Sequence, residues 1–106
     1  MADLSRHAKD RIKERCGVGQ SGQDRLAEKA LVNGILHNDT TGRLNKWMTT
    51  LYFRNTSANN IRLYGDKAYI FSDTKLITVL QIPNNLLPMV RKISKRKDVK
   101  VVHIQL

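Results

Sequence analysis

The stretch from Asn60 to Ile82 constrains the fold more than any other part of the chain. It reads Asn-Ile-Arg-Leu-Tyr-Gly-Asp-Lys-Ala-Tyr-Ile-Phe-Ser-Asp-Thr-Lys-Leu-Ile-Thr-Val-Leu-Gln-Ile. Three short runs rich in Ile, Leu, Val, Tyr and Phe are separated by Gly65-Asp66 and Asp73-Thr74, the composition of strands joined by tight turns. Close turns at both places make the strands antiparallel neighbours in a meander. A sheet this small cannot stand alone, so helices must cover at least one of its faces.

The flanking segments supply those helices. Leu4, Ala8, Ile12 and Cys16 recur every four residues, so residues 5 to 16 are predicted to form a helix with a narrow apolar stripe, ended by Gly17. His7, Arg11 and Arg15 form a second stripe about 100° round the same helix. Gly17-Val18-Gly19-Gln20-Ser21-Gly22 has the letters of a dinucleotide fingerprint, but that motif needs a strand before it and a helix precedes it here. No cofactor is expected. Ser21 and Asp24 have capping-box spacing, and a second helix is predicted over 22–32, burying Leu26, Ala27, Ala30 and Leu31 and closing at Asn33-Gly34. Over residues 43–54, Leu44, Trp47, Met48, Leu51 and Tyr52 fall at helical spacing, which predicts a third helix, while the composition of 48–53 also suits a strand. Trp47 and Tyr52 on that helix are either core or a platform for stacked bases. Pro83 stops the last strand of the meander. A short helix over 86–95 and a closing strand over 99–105 follow.

At 106 residues the chain is one domain, 1–106, and at 41% hydrophobic it holds enough for one modest core. Nineteen Lys and Arg against nine Asp and Glu leave a formal charge of +10, which favours a polyanionic partner, nucleic acid before an acidic protein and that before a membrane surface. A single cysteine, Cys16, rules out an internal disulfide and the Cys-rich zinc sites. No run approaches the roughly 20 apolar residues of a membrane span, and the N-terminus has no basic-then-apolar signal pattern. Cytoplasmic residence is the expectation.

The nine carboxylates are scattered, unlike the clustered acids that hold two metals in phosphodiesterases, so no metal site is expected. Metal-free phosphodiester chemistry then needs a His to move protons and an Arg or Lys to neutralise phosphorane charge. RNA suits such a set, since its own 2′-hydroxyl is the nucleophile. His7 and Arg11, one turn apart, can face one phosphate. Strand alternation places Arg62 and Tyr64 on one face of the first meander strand, and Thr78 is the one hydroxyl in the row Leu76, Thr78, Leu80, Ile82.

The order of these pieces carries a resemblance. Ser-Arg-His-Ala-x-x-Arg-x-x-x-Arg-Cys-Gly (Ser5 to Gly17), a capped helix ending in Asn-Gly, Ile-Arg-Leu-Tyr-Gly-Asp-Lys-Ala-Tyr-Ile-Phe and Leu-Ile-Thr-Val-Leu follow in turn. The chain over about 5–83 resembles small bacterial and phage domains of the BECR fold, the barnase, EndoU, colicin and RelE-like ribonucleases. One subgroup of these opens with His-Ala-x-x-Arg and closes its meander with Ile-Thr-Val. The resemblance implies metal-independent RNA cleavage through a 2′,3′-cyclic phosphate, in a toxin or phage effector, with a host factor or cognate inhibitor as protein partner. It makes His7 the general acid or base, Arg11 the phosphate clamp, Thr78 a positioning hydroxyl and Tyr64 an accessory. The third helix is longer than the subgroup's connection, and the other histidines, His37 and His103, fall in a loop and in the last strand.

The expectation is therefore an α+β domain with two or three N-terminal helices on a four-stranded antiparallel sheet, followed by a C-terminal helix and strand. RNA is drawn in by Arg6, Lys9, Arg15, Arg62 and the dense run containing Arg91, Lys92, Lys95, Arg96 and Lys97. The alternative is a non-catalytic basic module that binds nucleic acid or an acidic protein surface, such as a phage-type inhibitor of a host factor. It needs only a continuous basic face.

Overall fold

The structure, a computed structural model, describes residues 3–16 and 20–95. The order is β1 (Asp3–Leu4), α1 (Arg6–Cys16), α2 (Gln20–Asn33), a 3₁₀ turn at His37–Asp39, α3 (Gly42–Arg54), β2 (Asn60–Tyr64), β3 (Lys67–Ser72) and β4 (Lys75–Gln81). A second 3₁₀ turn at Asn84–Leu86 leads into α4, helical over 87–95. The fold is α+β, and residues 43–54 are helical.

The meander forms as expected, β2 to β3 to β4 antiparallel, with Gly65 at φ +61° and Asp73 at φ +54° in its two turns. The fourth strand is not the expected one. The two-residue β1 pairs parallel to β4, so the sheet runs β1-β4-β3-β2 and is mixed rather than purely antiparallel. The closing strand expected over 99–105 lies outside the described residues.

Helices cover both faces, which places the sheet in the middle of three layers. On one side Ala8 and Ile12 of α1 and Ala27 and Ala30 of α2 pack against Tyr69, Phe71, Leu76 and Val79. On the other, Leu44, Met48 and Leu51 of α3, with Leu86 and Val90, pack against Ile61, Leu63, Ala68, Ile70 and Ile82. Central strand β3 alternates between the two cores and is buried from Lys67 through Phe71, hence its almost unbroken apolar run. The outward N–H groups of edge strand β2 find partners outside the sheet. Ile61 N–H donates to the Tyr52 hydroxyl (2.9 Å), and Leu63 exchanges both backbone bonds with Ile35.

A β-bulge redirects β4. Ile70 pairs with Thr78 while Phe71 pairs with Leu76, which leaves Ile77 as the extra residue. Simple alternation puts Leu76 in one row with Thr78, Leu80 and Ile82; the bulge instead turns Leu76 toward α1 and α2, while Leu80 and Ile82 face α3 and α4. Ser5 ties this point to α1. Its hydroxyl donates to the Ile77 carbonyl (3.0 Å) and accepts the Ala8 N–H (3.1 Å), so one side chain caps the helix and occupies a carbonyl at the bulge. Among the described residues no helix is long and apolar enough to cross a membrane.

Candidate nucleic-acid interface

Three sides of α3 are set by its sequence. Leu44, Met48 and Leu51 face the core. Asn45, Thr49 and Tyr52 form a flank occupied by structural bonds. The Asn45 amide donates to the carbonyl oxygens of His37 (3.2 Å) and Thr40 (3.1 Å), which holds the preceding turn against the helix. The Thr49 hydroxyl donates to the Asn45 carbonyl (3.0 Å), and its oxygen lies within hydrogen-bond distance of His37 Nε2 at 2.9 Å. The His37 ring lies 5.5 Å from that of Tyr52.

The remaining side looks outward. Arg43, Lys46, Thr50, Phe53 and Arg54 are exposed, and Trp47 is half-buried at the margin of the core. At about 100° per residue, Lys46 and Phe53 stand almost opposite the buried line, with Arg43, Thr50 and Arg54 beside them. On α4, Val90 is buried and Arg91, Lys92 and Lys95 are exposed. The two helices cover the same sheet face, and a side chain added at Gly42 would lie 3.7 Å from the Met89 methyl. Together α3 and residues 87–95 carry six Lys and Arg and no Asp or Glu. Asp39, just before α3, accepts the Leu36 N–H at 3.1 Å. Like charges on one face with no carboxylate interspersed sum to a positive potential that attracts a polyanion.

The residues named from sequence fall in different places. His7 and Arg11 are one turn apart on α1, with Arg11 Nε 3.4 Å from His7 Nε2, but the same guanidinium pairs with Glu14 at 2.9 Å on an open helix surface. Thr78 is buried and, by its pairing with Ile70, faces the α3 and α4 side, whereas α1 packs on the opposite face. The sheet therefore lies between Thr78 and the helix that carries His7 and Arg11. Tyr64 is half-buried on the α1 and α2 face, its ring 6.5 Å from Tyr69. His37 sits on the α3 side, away from His7, and His103 is outside the described residues.

The basic residues divide as well. Arg6 and Lys9 are exposed on α1, which also carries Asp10 and Glu14. The side chain of Arg15 is not among those described, nor are Arg96 and Lys97. Arg62 is tied into the fold: its Nε donates to Asn60 Oδ1 (2.8 Å) and its Nη1 to the Gly34 carbonyl (3.4 Å). A Cβ at Gly34 would collide with Arg62 Cβ at 2.6 Å and with the Ala30 carbonyl, so glycine is required for that approach. Arg43, Lys46, Arg54 and Phe53 were not singled out from the sequence. The available signal was the absence of any carboxylate across an amphipathic segment with three cations.

No protein-family model, curated protein or solved structure matches this chain, so what its surface can do rests on its own residues.

Proposed function

We propose that this protein is a non-catalytic basic module that binds nucleic acid through the outward face of α3 and α4. The observation that carries this reading is six Lys and Arg on two adjacent helices with no carboxylate on either. On α1 and α2 the counts are seven and four, and Arg11 is already paired with Glu14. Neutralising phosphates with fixed cations releases condensed counterions, which supplies sequence-independent affinity and makes it fall with salt. RNA cleavage has no such support, because its three groups are divided by the sheet.

Fluorescence anisotropy with labelled oligonucleotides across a salt series tests the reading. Replacing Arg43, Lys46, Arg91 and Lys92 with Gln should lower the slope of log K against log salt by about 3, at roughly 0.7–0.9 per phosphate contact, and weaken binding on the order of 100-fold at low salt. Arg6→Gln with Lys9→Gln should change affinity far less. RNA incubated with the protein in EDTA should remain intact, and His7→Ala should behave as the parent. Cyclic-phosphate ends that disappear in His7→Ala, or binding insensitive to the four substitutions, would overturn it.

A further inference from the structure

We infer that the α3 and α4 face takes single-stranded nucleic acid, with Phe53 as the platform on which a base stacks; this rests on reading that face as a nucleic-acid interface. Phe53 is 80% exposed. It sits on the solvent side of α3, almost opposite Leu44, Met48 and Leu51, where helical patterning calls for a polar residue. Lys46 lies two turns back on nearly the same line, Thr50 one turn back and about 60° round, with Arg54 about 100° round and Arg43 at the start of the helix. An aromatic ring set among cations on an open helix face has the elements of a stacking site: charge to follow the backbone and a flat apolar surface for an unstacked base.

The chemistry of phenylalanine narrows the ligand. Its side chain has no donor or acceptor, so it makes no hydrogen bond to a base edge, and in a groove it could meet only a thymine methyl. Its largest surface is a π-face. In a duplex the base faces are already covered by neighbouring pairs, whereas a single strand can present them. The other aromatics of α3 are less free. The Tyr52 hydroxyl holds the Ile61 N–H and its ring lies against His37, while Trp47 packs on the margin of the core. Phe53 is thus a single platform, and its cationic surroundings match a polyanion rather than an apolar protein helix.

The full chain should be titrated with a labelled 12-nucleotide single strand and with a duplex of equal length at matched salt. The expected result is tighter binding of the single strand, weakened about tenfold or more by Phe53→Ala with the salt slope unchanged, since no charge is lost. Phe53→Trp should keep the affinity and add an indole whose emission is quenched on binding. Phe53→Leu, apolar but without a π-face, should behave as alanine does. Equal or tighter duplex binding, or single-strand affinity indifferent to Phe53→Ala, overturns the inference while the salt-dependent interface stands. Loss of salt-sensitive binding to both oligonucleotides would remove the proposed function itself.

Discussion

The two helical layers share one sheet but differ in how their charges are balanced. On the α1 and α2 side Ser5 caps α1 and secures the Ile77 carbonyl, Arg62 reaches the Gly34 carbonyl, and on the exposed surface of α1 Arg11 is balanced by Glu14. Small residues at the contact, Ala8, Ala27 and Ala30, let these helices lie close to the strands. On the α3 and α4 side the contact is made by larger apolar residues, the N-cap Thr41 makes no side-chain hydrogen bond to the helix, and the outward cations have no carboxylate beside them on their own helices. One layer is built chiefly to hold the sheet. The other holds it with one side and presents charge with the other.

The largest effect tests whether these layers fold as one body. Phe71 is fully buried on the α1 and α2 side, and Phe71→Ala should cost about 3–5 kcal/mol, a large share of a small domain's stability. Trp47, the only tryptophan, sits on the far side of the sheet. Denaturation followed by Trp47 fluorescence and by far-UV circular dichroism should therefore shift together, because the two cores share β3. A Trp47 transition that stays at its parent midpoint while the dichroism moves would break the comparison, leaving two separately stable halves.

A smaller effect concerns how each layer's first helix is started. Ser5→Ala removes both the cap of α1 and the donor to the bulge, and should cost about 1–2 kcal/mol in chemical denaturation. Thr41→Ala, the matching change at α3, should fall within about 0.5 kcal/mol of the parent, since its hydroxyl makes no cap bond. Equal losses at the two sites would mean that α1 is not fixed by its cap and that the contrast between the layers lies elsewhere.

Much of the architecture was legible because it is local. Turn residues at Gly65-Asp66 and Asp73-Thr74 announced the meander, and four-residue spacing announced α1. The missed features depend on distant partners. A two-residue strand such as β1 has too few residues for any periodicity, and only its bonds to Thr74 and Leu76 define it. The bulge at Ile77 is invisible in composition, yet it places Leu76 and Thr78 on different faces of the sheet. At the candidate interface the dense run at 91–97 stands out in the sequence, and its Arg91, Lys92 and Lys95 are exposed on α4. Arg43, Lys46 and Arg54 were passed over because helical spacing spreads one surface stripe over twelve residues.

The smallest effect separates a cation already engaged in the fold from one displayed on the surface. Lys67 is nearly buried, and its ammonium lies 2.9 Å from Asp66 Oδ1. The hydrogen bond from Lys67 holds the Asp66 carboxyl below its ordinary value of 3.8; burial, the next largest influence, pushes the other way, and the Lys67 charge and the Gln81 amide add smaller lowering. A carboxyl with a depressed folded pKa stabilises fully above its ordinary range and loses that contribution as pH falls through the folded value. The Asp66 side chain is 57% exposed, so solvent screening keeps the contribution at neutral pH below about 1 kcal/mol. Asp66→Asn should accordingly lower the melting temperature by no more than a few degrees at pH 7, equally at pH 5, with the deficit shrinking only below about pH 4. Neutralising Arg91, Lys92 and Lys95 should show no such acid-limited loss, because neither α3 nor α4 carries a carboxylate to protonate. Melting curves of both variants from pH 2 to 7 make the check. An Asp66→Asn deficit that persists undiminished at pH 2 would mean that Lys67 is held by its burial rather than by its partner.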